Sequence, residues 1–188
     1  MVLFFATGNE GKFREVSALA AKLGVEIQHS RTPYLEIQAD ELSDIAKVGV
    51  QQVFGILKAP CFVEDSGLFI HSLRGFPGPY SKYVFLTIGN RGVLKLLEGV
   101  GDRRAVFRSA VGYCGRDGRP LVFEGRVEGR ISLEERGTGG FGFDPIFIPD
   151  EGDGRTFAEM SVEEKNALSH RGRAIEGFFR WYLLHREE

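Results

Sequence analysis

The sequence contains few residues of several types, and each shortage excludes a class of protein. Its 188 residues include only two cysteines, Cys61 and Cys114, without a CxxC spacing, which argues against a disulfide framework or a zinc site. Both lie in apolar runs, so we interpret them as buried packing residues of a protein from a reducing compartment. No apolar run reaches the ~18 residues of a membrane-spanning helix, and the start, MVLFFATGNEGK, lacks the pattern of a signal peptide. These absences predict a cytoplasmic protein that does not bind membranes.

An excess of one charge is also missing. The 24 Lys and Arg residues are balanced by 26 Asp and Glu residues, which leaves a net charge of -2. Such a protein has no bulk attraction to nucleic acid or to an anionic membrane, and we expect no nucleic-acid partner. Because domains hold roughly 150 residues, we expect residues 1–188 to form a single domain. Its partners must be sought in local sites.

Glycine is what the sequence has in excess. The 25 glycines follow no fixed period and lie in no Ser- or Pro-rich tract, so they are neither collagen nor linker glycines. They belong in turns and where the backbone approaches another group closely. Methionine, cysteine, asparagine and glutamine are all scarce, which is typical of thermophilic sources.

The first thirty residues have the pattern of a strand, a helix and a second strand. An apolar run at 2–6 precedes a helical apolar stripe at 12–23, Gly24 ends that helix, and residues 25–28 follow as a strand. This order predicts a parallel pair of strands and an α/β fold. Further along, the spacing predicts helices over 41–57, 91–98 and 161–184, a strand over 61–65, a hairpin of strands over 105–113 and 121–125, and a strand over 126–132.

The turn TGNEGK at 7–12 is the first candidate site. A helix N-terminus offers unpaired N–H groups and partial positive charge, glycine lets the backbone approach an anion, and Lys12 adds a full charge. It is not a Walker A loop, because Ala6 replaces the first glycine and Phe13 replaces the metal-binding Ser or Thr. The pattern indicates a phosphate site, with a plain connection capped by Asn9 as the alternative.

Acidic residues after the third predicted strand form the second candidate. Glu64 and Asp65 end that strand, and Glu36 follows the second strand. Carboxylates at this edge of a sheet can hold a hard cation such as Mg²⁺ or take a proton from water. The alternative is that Asp65 caps a turn and Glu36 is solvated.

The third candidate combines an aromatic loop with a basic helix. In GGFGFDP at 139–145, a phenylalanine flanked by glycines can expose its face for base stacking, beside the carboxylate of Asp144. Lys165 and Ser169 lie four apart on a predicted helix and so share a face, with His170 and Arg171 just beyond. A core strand and a solvated helix face are the alternatives.

Taken in order, the segments TGNEGK, EDSGL, GFPGPYSKY, GFGFDPIF and FAEMSVEEKNALSHRGRA resemble the Ham1 family of inosine triphosphate pyrophosphatases over almost the whole chain. One position departs from the usual pattern: Phe143 stands where Tyr or Trp is common. The resemblance implies an elongated two-lobed α/β domain, with helices flanking a mixed β-sheet and the nucleotide between the lobes. It also implies a homodimer.

The resemblance further implies roles for individual residues. Glu36 and Asp65 would hold Mg²⁺, and Asp65 would be the general base for the attacking water. Phe141 would stack on the purine. The residues implied to bind substrate are Thr7, Gly8, Asn9, Glu10, Gly11, Lys12, Lys47, Ser66, Lys82, Phe141, Gly142, Phe143, Asp144, Lys165, His170 and Arg171.

The implied activity is Mg²⁺-dependent hydrolysis of ITP, dITP and XTP to the nucleoside monophosphate and pyrophosphate. Neither cysteine has a nearby His in the sequence and no G-x-S-x-G occurs, which favours direct attack by water. Two alternatives stay open: a nucleotide pyrophosphatase of different base preference, and a non-catalytic nucleotide-binding module. In the second, Glu36 and Asp65 would repel phosphate unless a cation intervened.

Overall fold

The structure is a computed structural model that describes residues 2–185, and within them the chain forms seven β-strands and six α-helices. The strands are β1 (Leu3–Ala6), β2 (Ile27–Ser30), β3 (Cys61–Ile70), β4 (Pro77–Gly78), β5 (Arg104–Cys114), β6 (Pro120–Ile131) and β7 (Phe147–Pro149). The helices are α1 (Glu10–Leu23), α2 (Leu42–Leu57), α3 (Ser81–Thr87), α4 (Gly89–Leu96), α5 (Val162–Leu168) and α6 (His170–His185).

These strands form one mixed sheet in the order β2-β1-β3-β5-β6-β7, with β4 paired to β3. Strand β1 runs parallel to both β2 and β3, whereas β3, β5, β6 and β7 pair antiparallel in succession. The predicted parallel pair and the predicted hairpin are both confirmed. The turn after β1 therefore lies at a strand's carboxyl end, where α/β sheets present their ligand sites.

The ends of α1 follow from local chemistry. The Asn9 side chain accepts the N–H of Lys12 at the start, and Gly24 adopts a left-handed conformation (φ 69°) at the end. The N–H of Val25 still donates to the Ala20 carbonyl, so residue 25 completes the helix end. For this reason β2 begins at Ile27, two residues later than predicted.

Three apolar clusters define two lobes. In the first lobe, α1 and α6 cover one face of the sheet around Phe62 and Phe178, and α2 covers the opposite face around Val50. The second lobe is built around Phe107 and Phe147. Because β3 and β5 contribute to clusters in both lobes, one sheet passes through both, which confirms the expected fold class. No helix within residues 2–185 is long and apolar enough to cross a membrane.

Both cysteines are free and buried, as predicted. They lie opposite one another on β3 and β5, in the cluster beneath α2. Burial raises the pKa of the Cys61 thiol to about 12 and that of Cys114 to about 11, so neither thiol is a nucleophile at neutral pH.

Two strand predictions are wrong. The strand predicted over 126–132 is the continuation of the one predicted over 121–125, because β6 pairs with β5 along its whole length. Strand β3 continues beyond residue 65 to Ile70, because β4 and β5 supply hydrogen-bonding partners there. Pairing between distant segments, which local patterns do not contain, sets both lengths.

The helix predicted from 161 to 184 is interrupted. Its capping box is present, since Ser161 and Glu164 bond reciprocally, but α5 ends at Leu168 and Ser169 is extended (ψ 157°). The Ser169 side chain accepts the N–H of Gly172 and thereby caps α6. A Cβ at Gly172 would collide with the Asn166 carbonyl, so the sharp turn requires this glycine. Ser169 still donates its N–H to the Lys165 carbonyl at 2.8 Å, so these two residues keep their helical spacing, and the break changes only the direction of the chain after Ser169, where α6 begins at the cleft.

We expect Gly112→Ala to lower the free energy of unfolding by about 1–3 kcal/mol, the usual effect of overpacking. The added methyl would meet the Ala46 carbonyl and the Val50 side chain, where α2 lies directly on β5. Gly55→Ala is the matched control, because a methyl at Gly55 would contact nothing within 4 Å, and it should stabilise α2 by about 0.5–1 kcal/mol. Urea denaturation measures both; equal effects would contradict the close approach at Gly112.

Candidate active site

A cleft of about 690 Å³ separates the two lobes. The turn after β1, the chain at 31–36, and the middle of β3 line it from the first lobe, together with the start of α6. Helix α3 and the loop at 141–144 line it from the second lobe. The three candidate segments of the sequence thus meet in one place.

The turn after β1 presents free backbone donors. Its Asn9 N–H donates to the Thr7 hydroxyl at 3.1 Å, and the Lys12 N–H donates to the Asn9 side chain at 3.1 Å. The N–H groups of Gly8, Glu10 and Gly11 donate to no other group in the described chain. Unpaired donors at a helix N-terminus suit an anion, as the sequence predicts.

Beneath this turn lies a buried cluster of charges centred on Glu64. The carboxylate lies 3.0 Å from the Lys12 ammonium and 3.1 Å from Nε of Arg171, and it accepts the Ser109 hydroxyl at 2.5 Å. Burial alone would raise the pKa of Glu64, but Arg171, Lys12 and the Ser109 hydrogen bond hold it well below its ordinary range. Glu64 is therefore ionised and fully occupied by partners.

The cluster continues through Glu15. Its carboxylate lies 2.6 Å from the Arg171 guanidinium and 2.6 Å from the Lys165 ammonium, which in turn contacts Asp144 at 2.5 Å. Burial opposes ionisation of Glu15, yet Arg171 and Lys165 together lower its pKa. In all, three cationic side chains and three carboxylates join α1, β3, α5, α6 and the aromatic loop. We call Lys12, Glu15, Glu64, Asp144, Lys165 and Arg171 the buried ion network.

Asp65 differs from its neighbour Glu64. Both residues line the cleft, but successive residues of a strand point to opposite faces, and Asp65 forms no ion pair with any described residue. Burial raises its pKa to about 6; Lys12 opposes this, while Glu64 and Glu36 add to it. Glu36 also lines the cleft, and its nearest cation is the exposed Lys82 ammonium at 3.6 Å.

This pair of carboxylates fits a hard divalent cation. Asp65 and Glu36 repel each other through the cleft, and a cation between them would remove that repulsion. No group of three or more His, Cys, Asp or Glu side chains among residues 2–185 could hold a metal ion by itself. Magnesium commonly takes one or two carboxylates and completes its shell with water and substrate phosphates, so two donors suffice.

The aromatic loop presents Phe141 to the cleft. The Lys165 ammonium lies 4.8 Å and the Arg171 guanidinium 5.1 Å from its ring centroid, which places two cations of the buried ion network near the ring. The ring also packs so closely on Gly11 that a Cβ there would lie 2.5 Å from Cδ1. Asp144 accepts the Phe141 N–H at 2.8 Å and so holds the loop.

His170 and Arg171 reach the cleft from the first turn of α6. The His170 ring stacks on Phe107 at 4.5 Å, and burial together with Arg171 lowers its pKa well below the ordinary value, so it is neutral. Arg171 donates to Ser66 at 2.9 Å in addition to its two carboxylate partners. Nη1 and Nη2 each donate one hydrogen bond and carry a second N–H group that has no acceptor among the described residues.

The cleft brings together most of the residues predicted from the sequence. Its lining includes Thr7, Gly8, Asn9, Lys12, Glu36, Asp65, Ser66, Lys82, Phe141, Gly142, Phe143, Asp144, His170 and Arg171. Four others lie outside the lining: Glu10 pairs with Arg31 on the surface, Gly11 is behind Phe141, Lys47 is exposed on α2, and Lys165 is buried in the ion network. Their roles, like the individual roles of the residues in the lining, stay predictions.

Sequence reasoning missed Glu15 and Tyr34. Glu15 lies three residues after Lys12 and four before Leu19, so a charge on the buried face of α1 was the available signal. Tyr34 lines the cleft and packs on Gly49 of α2. Burial, with the nearby Glu36, Asp65 and Glu64, keeps its pKa above the ordinary value, so its hydroxyl stays protonated.

The fold and the cleft together define the class of this protein: a two-lobed α/β protein in which a helix N-terminus and a carboxylate pair face one cleft between the lobes. The profile of the Ham1 family matches residues 3–181. The chain therefore belongs to the Ham1 family, which confirms the resemblance carried by its five ordered motifs.

Relatives and solved structures agree with this assignment. A protein of Methanopyrus kandleri named dITP/XTP pyrophosphatase is 54% identical over 182 residues, covering 97% of this chain and 96% of that protein. One of the same name from Pyrococcus horikoshii is 54% identical over 181 residues, covering 96% of each. The structure of a HAM1 protein from Coxiella burnetii superimposes with a TM-score of 0.82 at 30% identity, covering 95% of this chain and 96% of that one.

We expect Glu64→Gln to lower the free energy of unfolding by about 3–5 kcal/mol at pH 7, because Lys12 and Arg171 lose a buried counter-charge. The folded-state pKa of Glu64 lies below its ordinary value of 4.5, so its stabilisation is complete above that pH and is lost as pH falls toward the folded pKa. The variant should therefore lose less stability on acidification than the wild type.

Urea denaturation at neutral pH and at about pH 3 measures this difference. Glu176→Gln is the control, since its exposed pair with Arg180 should contribute less than about 0.5 kcal/mol. Similar losses in the two variants would contradict the role given to the buried ion network.

Proposed function

We propose that this protein hydrolyses non-canonical purine nucleoside triphosphates, namely ITP, dITP and XTP, to the nucleoside monophosphate and pyrophosphate, and that it requires Mg²⁺. One observation carries the proposal: the anion-binding turn, with the free N–H group of Gly8, and the carboxylates of Asp65 and Glu36 line the same cleft, and the exposed Lys82 is the only cation paired with these carboxylates among the described residues. A polyphosphate and its metal need these two features side by side. The relatives named dITP/XTP pyrophosphatases match almost the full length of the chain and support the reaction.

Asp65 and Glu36 are the residues that would hold the metal. When bound, Mg²⁺ would neutralise phosphate charge and polarise the phosphoryl group. Glu64 is unsuited to this task, since Lys12, Arg171 and Ser109 already occupy its oxygens. Of these two neighbours, Glu64 therefore has the structural role and Asp65 the chemical one.

Asp65 is also the proposed general base. With a pKa of about 6 it is ionised at neutral pH and still basic enough to accept a proton from water. Direct attack by water agrees with the cysteines, which are buried away from the cleft and unable to act as nucleophiles. Cleavage between the α and β phosphates then yields the two products named above.

The phosphates would bind to donors and cations that are not already taken up by partners within the protein. The turn supplies the N–H group of Gly8 in the cleft and those of Glu10 and Gly11 beside it, and Lys82 supplies an exposed ammonium that lies 3.6 Å from Glu36. Lys12 contributes less charge than the sequence suggests, because Glu64 neutralises most of it. Donors fixed in place before the substrate arrives stabilise developing negative charge without reorganisation.

Base recognition would use Phe141 and the start of α6. Phe141 offers a ring for stacking, and Arg171 keeps two N–H groups that could donate to a 6-oxo purine. A 6-amino purine would leave such donors unpaired, at a cost of about 1–3 kcal/mol for each buried donor.

A homodimer and a cytoplasmic location belong to the same proposal. They are supported by the family resemblance and by two reduced, buried cysteines.

The decisive experiment incubates the protein with ITP, XTP, GTP, ATP and dUTP in Mg²⁺ and resolves the products. We expect monophosphate and pyrophosphate from ITP and XTP, and little turnover of ATP. Release of orthophosphate with a diphosphate, or equal rates on all five, would overturn the proposal. Preference for dUTP would indicate a pyrimidine-directed pyrophosphatase, and binding without turnover would indicate a binding module.

We expect Asp65→Asn to reduce kcat by at least about a hundredfold, because a general base usually contributes 10²–10⁴-fold. The same variant should bind Mn²⁺, used as a paramagnetic substitute for Mg²⁺, more weakly in an electron paramagnetic resonance titration. Its fold should persist, since Asp65 makes no ion pair within the described chain. An active variant, or one with unchanged Mn²⁺ affinity, would refute one of the two roles.

A further inference from the structure

The carbonyl group of Thr7 points away from the cleft and toward β2. Its oxygen lies 2.8 Å from Nε2 of His29, which is the third residue of that strand. A carbonyl oxygen can only accept a hydrogen bond, so Nε2 must carry the proton and donate it. His29 was not among the residues that the sequence singled out.

The direction of this carbonyl fixes the direction of the next N–H. In a planar trans peptide the C=O of one residue and the N–H of the next point to opposite sides. With the Thr7 oxygen held toward β2, the Gly8 N–H points the other way, and Gly8 lines the cleft. A flipped peptide would present an oxygen where a phosphate must bind and would repel it.

One other hydrogen bond spans this peptide, from the Asn9 N–H to the Thr7 hydroxyl at 3.1 Å, but it does not bind the Thr7 carbonyl. Gly8 has no side chain, and a Cβ built there would contact nothing within 4 Å. The Thr7 N–H donates to the Ser30 carbonyl at 3.0 Å, but this bond fixes the preceding peptide and not the Thr7–Gly8 peptide. Among the described residues, His29 alone donates a hydrogen bond to the Thr7 carbonyl, and this bond opposes the flip.

The His29 ring is itself held in place. It stacks on Phe13 with a centroid distance of 4.1 Å and an interplanar angle of 13°. Phe13 follows Lys12 in the first turns of α1. His29 of β2 therefore contacts the turn at its start, through the Thr7 carbonyl, and just after its end, through the Phe13 ring. Two contacts of different kinds therefore set the position of the donor.

We propose that His29 is a positioning residue that holds the Thr7–Gly8 peptide with its N–H toward the cleft and thereby completes the phosphate-binding turn. The inference rests on the proposed function only in taking a polyphosphate as the ligand. His29 does not contact the substrate and acts through Gly8. Because a hydrogen bond to phosphate persists from substrate to transition state, its loss should appear mainly in KM.

The test compares His29→Leu, which removes the donor, with His29→Gln, whose amide can donate to the same oxygen. Gln28→Leu is the matched control, since Gln28 is exposed on the same strand and outside the cleft. Two readouts are used: kcat and KM with ITP, and the amide shift of Gly8 by NMR as Mg²⁺-tripolyphosphate is added. Tripolyphosphate probes the turn without a base or sugar.

We expect His29→Leu to raise KM about tenfold, the lower range for a hydrogen bond to a charged group, with kcat changed less than about threefold. Its Gly8 amide should respond weakly to tripolyphosphate, whereas His29→Gln and Gln28→Leu should resemble the wild type. Equal losses in the Leu and Gln variants would assign the effect to packing on Phe13 and overturn the inference. A normal Gly8 response in His29→Leu would also overturn it.

The two proposals can fail separately. If the wild type does not hydrolyse ITP but its Gly8 amide responds to tripolyphosphate and loses the response in His29→Leu, the proposed function fails and the inference stands. If ITP is hydrolysed and His29→Leu behaves as the wild type in both readouts, the inference alone fails. If His29→Leu does not fold, His29→Gln decides by the same shift, and a lost Gly8 response in that folded variant overturns the inference.

Discussion

The ion pair between Glu64 and Arg171 is the contact on which the site depends. Both groups are almost completely buried, and a buried charge is tolerated only when partners surround it. Here each charge has more than one partner, and the chain of contacts runs from Lys12, at the wall of the cleft, to the buried Asp144. Taking away one member would leave the others uncompensated, so the network holds α1, β3, α6 and the aromatic loop in one arrangement.

This arrangement decides which charges are free for chemistry. The network contains equal numbers of cationic and carboxylate side chains, so it adds little net charge to the cleft. Outside this network the cleft offers the carboxylates of Asp65 and Glu36 and the free N–H group of Gly8. A metal-bound polyphosphate complements both. A near-neutral net charge is therefore compatible with strong local electrostatic fields in the cleft.

Much of the fold could be predicted because the signals are local. Asn9 and Gly24 mark the ends of α1 through their own side-chain and backbone chemistry, and the capping box at Ser161 marks the start of α5. The break at Ser169 could not be predicted, because the apolar pattern continues through it and the turn depends on Gly172 approaching Asn166. The length of β6 could not be predicted for a similar reason, because it is set by pairing with β5.

By itself the sequence determined the element types, the turn chemistry and the five motifs that place the chain in the Ham1 family. The tertiary structure alone decided what each acid does. Glu64 and Asp65 are adjacent, chemically alike and both at the cleft, yet Lys12 and Arg171 hold Glu64, whereas Asp65 has no cationic partner among the described residues. The reason is the alternation of a β-strand between two packed layers: α1 and α6 bring cations to one face, and the opposite face leaves Asp65 unpaired.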